Sequence, residues 1–417
     1  MRQRPGRLWI GIALDRGPTR VPQVSAATGV VERGHGGYVL MISRRTVLAA
    51  SAGLAAAAAV PAVGAAPVAA AGRRTAPAVP DVQARSTRPI GGGVRVNRSD
   101  FPLSHLGISW QGPGRPSLRT RTADGWSPWR ALGDGCGGKR DRGSSRRSVV
   151  LPVPGAFGYE IECRRGSSAL AVTELNTSST SSSRTRLTMP VLSALRIQGY
   201  SANVRYLSRA GWGANESLRY DSTGAELFPT AFYPLQTLTV HHTAGINNDP
   251  DPAATVRAIY YYDAVTQGWG DMGYHFLIDE AGTVYEGRWS GPNEGPNVTP
   301  GFGSALGPDG RLPMVTGAHV TGANSGNMGV VLLGDFTNQL PTPAARRSLA
   351  AVLAVLAGVG GLNPTAKVTY VNPVDGTTRP ETDTISGHRN WMATQCPGNL
   401  FYPELPKVRL ETAARMG

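Results

Sequence analysis

The sequence predicts an α/β (α+β) domain with a central mixed β-sheet flanked by helices, preceded by a small antiparallel β-sandwich-like domain. Three observations predict this. Strand-like and helix-like runs are interspersed after residue 204, which fits helices packed on a sheet. Short alternating runs separated by Gly and Pro fill residues 97–177. Between them lies a Ser/Thr-rich stretch, 178–203, too polar to bury a core.

At 417 residues the chain is long enough for two domains plus extensions. Its net charge of +14 is carried almost wholly by arginine, because Lys139, Lys367 and Lys407 are the only lysines. A protein this basic is drawn to polyanions: nucleic acid, an anionic cell-wall polymer or a membrane surface. Nucleic acid is set aside because no motif interleaves aromatic and basic residues.

Residues 1–40 show no periodicity and are read as an uncertain N-terminal extension, with Met41 an alternative start. At 41–71 the character changes. Ser43-Arg44-Arg45 precedes an uncharged, Ala-rich run, the layout of a twin-arginine-type signal peptide and an expectation of export to the cell wall. The rival reading is a membrane anchor. Alanine is only weakly apolar, and Pro61 and Pro67 interrupt the run, so no stable anchor is expected. Residues 72–96, rich in Pro, Arg and Gly, read as a linker.

In the β-rich domain, 97–177, Leu106, Ile108 and Trp110 share one strand face, and Tyr159, Ile161 and Cys163 share another. Ala169–Thr173 is a further candidate strand. The segment Trp126-Ser-Pro-Trp129 is either an exposed platform for sugars or ordinary packing. Three cysteines do not make a disulfide framework. Cys136 and Cys163 are either a pair or two unpaired thiols.

The second domain is placed at 204–410. Strand candidates are 235–240, 274–278, 283–286 and 328–333. A helix is expected from Asp251 to Tyr262. A clearer one follows Thr342 as N-cap with Pro343 in its first turn, and Leu349, Val352, Leu353 and Leu356 give it one apolar face.

The chemistry concentrates in two places. The pair His241-His242 ends a strand-like run, and Gly387 through Gly398 holds His388, Thr394 and Cys396. Two imidazoles and a thiolate suit Zn²⁺, and three protein ligands leave a fourth position open for water. A rival reading makes Cys396 a thiol nucleophile with His388 as its base.

These residues fall in a longer pattern. The segments Arg209-Ala-Gly-Trp-Gly-Ala214, Val240-His-His-Thr-Ala244, Gly268 through Asp279, Gly282 through Arg288, Gly317-Ala-His319, Asn324, Gly329 through Phe336 and Gly387 through Gly398 resemble the peptidoglycan recognition protein and zinc N-acetylmuramoyl-L-alanine amidase family. The resemblance covers residues 204–405. Residues 97–177 are similar to the β-rich domain that often precedes such amidases in secreted bacterial proteins. The resemblance implies Zn²⁺ on His241, His388 and Cys396, a catalytic Tyr274, and Thr394 beside the metal. It implies that His319 and Asn324 line the substrate groove with Arg288 near it, and that His242 is no ligand but packs or hydrogen-bonds close by. The implied reaction is hydrolysis of the amide between N-acetylmuramic acid and L-alanine in peptidoglycan. A peptidoglycan-binding receptor without hydrolysis is the alternative, although receptors of that kind usually lack the cysteine. Two departures stand out. Asp263 occupies a position where relatives often carry histidine, and a Gly/Pro-rich insertion lies between Arg288 and Gly317.

Overall fold

The computed structural model describes residues 82–87, 93–133, 146–163, 165–178, 194–292 and 299–417. The expected extension and signal peptide, and also Cys136, lie outside the described residues.

The first nine strands are β1 (Gln83–Thr87), β2 (Gly93–Val96), β3 (His105–Gln111), β4 (Ser117–Thr122), β5 (Gly125–Trp126), β6 (Arg130–Ala131), β7 (Arg146–Pro152), β8 (Gly158–Glu162) and β9 (Ser168–Asn176). They form two antiparallel sheets, one ordered β1-β9-β3-β7 and the other β2-β8-β4-β5 with β6 on β4. Period-two alternation explains the sandwich. Leu106, Ile108 and Trp110 point inward and pack with Tyr159 and Ile161 of the facing sheet. Cys163 is a free, half-buried thiol packed against this core, so the pairing considered with Cys136 is not formed. The Arg119 guanidinium lies 4.8 and 4.7 Å from the ring centres of Trp126 and Trp129, which covers a face of each.

The rest of the chain supplies β10 (Leu195–Ile197), β11 (Tyr200–Ala202), β12 (Tyr206–Leu207), α1 (Arg209–Trp212), β13 (Phe232–Tyr233), β14 (Thr237–His242), α2 (Pro252–Tyr261), β15 (Phe276–Ile278) and β16 (Val284–Glu286). It continues with β17 (Met314–Val315), β18 (Asn327–Leu332), α3 (Pro343–Gly360), β19 (Lys367–Val368), β20 (Thr382–Asp383), β21 (Ile385–Gly387) and α4 (Leu405–Ala413). Six of these strands make one mixed sheet in the order β12-β16-β15-β18-β14-β21. Its core begins earlier than expected. The hairpin β10–β11 falls inside the supposed connector, yet Leu195, Ile197 and Ala202 are buried in the domain core.

The two faces of the sheet are covered by different helices. Leu238, Val240, Ile278 and Val330 face α3 and α4, while Leu277, Tyr285 and Val331 face α2. The α3 N-cap forms as expected, with Thr342 Oγ1 accepting from Ala345 N at 3.1 Å, a contact worth about 1 kcal/mol. Leu349, Val352, Leu353 and Leu356 are fully buried, and each such side chain contributes roughly 1.5–3 kcal/mol. The Gly/Pro-rich insertion is partly core, since Phe302 and Met314 are buried and β17 pairs with β13.

The two domains are not beads on a string: both fall within one compact unit, Arg73–Gly417. The outer face of β3, β7 and β9 packs on α2, with Val150 and Leu175 joining the cluster around Val256 and Tyr260. Gly107 is glycine for a steric reason, because a Cβ there would stand 2.3 Å from the Tyr262 ring. Thr177 Oγ1 donates to Ala254 O at 2.8 Å, and Arg257 Nε donates to Thr177 O at 2.9 Å.

His105 sits in this interface with both ring nitrogens engaged. Thr255 donates its hydroxyl to Asp249, so at 2.8 Å it accepts from His105 Nε2, while Ser104 Oγ donates to Nδ1 at 2.8 Å. Burial, then the Arg257 charge, pushes this imidazole down to about 3. An unfolded chain binds its proton near 6.5, so between those values the unfolded state holds more protons. The contribution of His105 to stability is therefore complete above 6.5 and is lost as pH falls toward 3, at up to about 1.4 kcal/mol per pH unit. Urea unfolding between pH 4.5 and 6.5 should show a slope shallower by about that amount in His105→Gln. Equal slopes would mean that the ring is protonated in the fold.

Candidate metal centre

The site is created by strand register. β14 and β21 run parallel with Val240 opposite Gly387, so the next residues, His241 and His388, emerge side by side. Their ring centres are 4.5 Å apart. Alternation along β14 sends His241 to the α2 side and His242 to the α3 side. The turn after β21 is closed by Asn390 Oδ1, which accepts from Gly387 N at 2.9 Å.

Cys396 returns to the same point on a braced loop. Arg389 N donates to Cys396 O at 3.1 Å, and Cys396 N donates to Thr394 Oγ1 at 3.2 Å. Gly398, at φ +109°, lies so close to Phe336 that a Cβ would meet its backbone at 2.3 Å. The His242 amide donates toward Cys396 Sγ at 3.4 Å.

One donor atom from each of His241, His388 and Cys396 falls within 4.8 Å of the others, and all three residues are buried. Burial first, then the neighbouring imidazoles, holds both histidines neutral: His388 is pushed down to about 3 and His241 well below the usual value. Neutral imidazoles beside a cysteine sulfur are a donor set of the kind that holds zinc.

His319 selects the His241 tautomer. Its Nε2 lies 2.9 Å from Asn327 O, which only accepts, so the ring proton is there. Burial, against the pull of that carbonyl, keeps the ring neutral, with its pKa lowered to about 4. Nδ1 is then an acceptor, 3.1 Å from His241 Nε2, which must donate. The remaining His241 lone pair is on Nδ1, the atom 3.7 Å from Cys396 Sγ. Tyr274 packs edge-on against His241, with centroids 5.3 Å apart.

Residues 231–399 match the family model described as N-acetylmuramoyl-L-alanine amidase. The human N-acetylmuramoyl-L-alanine amidase is 33% identical over 178 residues, 40% of this chain and 23% of that protein. Peptidoglycan-recognition protein LB of Drosophila melanogaster is 26% identical over 207 residues, 49% of this chain and 68% of that protein. The C-terminal domain is similar to the peptidoglycan recognition protein and type 2 amidase family. The chain spans less than a quarter of the human and pig amidases that it matches, 23% and 22% of their lengths. Among solved structures, Drosophila PGRP-LB aligns at 24% identity over 48% of this chain and 92% of that one, with a TM-score of 0.33.

Within this domain, several expected groove residues take supporting positions instead. Arg288 is fully buried: it donates to Asp271 Oδ2 at 2.7 Å and to the carbonyls of Phe228, Pro229 and Thr316. Asn324 is buried, its Oδ1 accepting from the amides of His319 and Val320 at 2.7 and 2.8 Å. His319 is buried behind His241 and holds it. His242 is buried, and its Nδ1 accepts from Phe336 N at 3.2 Å. All four side chains lie in the interior. Thr394 is half-buried and braces the cysteine loop.

Asp271 was not singled out from sequence, and it organises a buried ion network in the same domain. Its carboxylate accepts from Arg209, Arg288 and the amides of Met272 and Trp289. Burial opposes its charge, but the two guanidiniums hold it below the usual carboxylate range. The only sequence signal was its place in the Gly268–Asp279 segment. Asp263, the departure from the family pattern, is buried and accepts from Gly273 N at 3.0 Å. Burial pushes its carboxyl up to about 8. With Tyr274, Thr243 and Val150 it lines a water-sized pocket of about 30 Å³, so the β domain supplies part of the wall behind the tyrosine.

If His319 orients His241 as described, His319→Phe should weaken zinc binding by about 10–100-fold, the usual loss when a ligand's hydrogen-bond partner is removed. Competition with a chromogenic chelator measures this. Unchanged affinity would reduce His319 to packing.

Proposed function

We propose that this protein is an exported, zinc-dependent N-acetylmuramoyl-L-alanine amidase acting on peptidoglycan. The observation that carries the reading is the convergence of His241, His388 and Cys396 on one centre, with Tyr274 against His241. Export is inferred from the segment around Ser43-Arg44-Arg45 and is checked by sequencing the N-terminus of the secreted protein.

In the proposed reaction water adds to the lactyl carbonyl carbon of N-acetylmuramic acid, and the C–N bond to L-alanine breaks. A carboxylate remains on the sugar and an amine on the peptide. Zinc, when bound, supplies Lewis acidity that activates water and polarises the carbonyl. The chain's own residues do the rest. His241 Nδ1, His388 and Cys396 Sγ hold the ion, and His319 keeps His241 in the right tautomer. Burial, then the Asp263 charge, raises the Tyr274 hydroxyl well above its ordinary value, so it stays protonated and can donate to a developing oxyanion. No carboxylate belongs to the three-residue metal group.

The test is turnover of purified muropeptides followed by mass spectrometry. Free stem peptide should appear, stop on chelation, and return with added zinc. Activity that survives chelation but not alkylation would make Cys396 a nucleophile. Binding without cleavage would make the protein a receptor.

A further inference from the structure

One cavity lies away from the metal centre. A cleft of about 560 Å³ lies over α3, on the sheet face opposite His241 and Tyr274, between the β10–β11 hairpin and the end of the chain. Arg205, Arg347 and Arg415 line it, from three separate parts of the fold, with Ser201 and Asn203 between them. All three guanidiniums are on exposed residues, and no described carboxylate pairs with any of them. The Arg415 guanidinium donates to the Glu411 carbonyl at 2.7 Å. Nearby acids are committed elsewhere: Glu411 to Arg346, and Glu280 to the Asn248 amide.

We propose that this cleft binds a linear polyol-phosphate chain, the phosphodiester type of anionic wall polymer. Guanidinium forks match phosphate oxygens, and several of them around one open trough suit a flexible polyanion with repeated charges. The exposed Tyr200 and Met416 offer apolar contact to a short polyol backbone. The Tyr200 ring lies against Gly358, where a Cβ would stand 2.4 Å away, and is the only aromatic residue lining the cleft, so there is no stacking ladder for bases. Because the cleft and the metal centre occupy opposite faces, the polymer would hold the protein on the wall without blocking the centre. The inference does not depend on the zinc reading.

The probe is synthetic poly(glycerol phosphate) of defined length, titrated calorimetrically into the full secreted chain. The variant R205Q/R347Q should weaken binding about tenfold or more, and the slope of log K against log salt should fall by roughly 1.4, about 0.7 for each lost phosphate contact. R98Q/R165Q, which removes two exposed arginines elsewhere, should do neither. Metal content and turnover of soluble muropeptides should be unchanged in both. Equal weakening in the two variants would overturn the site in favour of bulk charge. Binding of monomeric glycerol phosphate as tight as that of the polymer would overturn the chain specificity. A single-stranded oligonucleotide or anionic phospholipid vesicles binding as well as the polymer would overturn the ligand class.

Discussion

His388→Ala is expected to abolish zinc retention and amidase turnover together. The substitution removes one of three converging donors and leaves an imidazole and a sulfur that cannot close a tetrahedral site. Losing the hydrogen-bond partner of a ligand costs about 10–100-fold in affinity, so losing a ligand itself should exceed about 100-fold. The cavity left at a buried position costs stability as well, on the order of 2–3 kcal/mol. Metal analysis by mass spectrometry, muropeptide turnover and a melting curve separate the effects. The variant should melt cooperatively, carry no zinc and cleave nothing. A zinc-free variant that still turns over would remove the proposed chemistry, whatever its stability.

Tyr274→Phe is expected to keep the metal and lose rate. The change deletes one oxygen and retains the ring that packs 5.3 Å from His241. If the hydroxyl donates to the oxyanion, kcat should fall by about 10²–10³ with little change in KM, because that contact strengthens only as charge develops. The wild-type hydroxyl is raised well above 10, so no fall in rate from its ionisation is expected across the neutral range. Unchanged turnover with full zinc would make the tyrosine structural.

Much of this site was legible in residue types alone. A strand ending in two histidines and a loop carrying a histidine and a cysteine specify a soft donor set wherever the chain brings them together. The helix Pro343–Gly360 was equally legible, because a Thr cap, a Pro in the first turn and an apolar stripe all act locally. What was misjudged was long-range. Arg288, His319 and Asn324 are polar residues near a predicted groove, and polarity alone does not say whether a partner waits in the interior. The tertiary structure supplies those partners, Asp271 for Arg288, the His241 ring for His319 and two backbone amides for Asn324. The connector was misjudged for a related reason. Leu195 and Ile197 are too few to signal a strand, yet they are buried once α3 is present to cover them.

The sequence by itself determined the donor set, the helix caps and the alternating faces, because each depends on residues a few positions apart. Only the tertiary structure decided which histidine of the pair turns toward the cysteine, which polar groups are spent on folding, and that the β domain is welded to α2. Those outcomes depend on the pairing of β14 with β21 and on packing across more than a hundred residues, where a one-position slip in register would send His241 to the opposite face of the sheet.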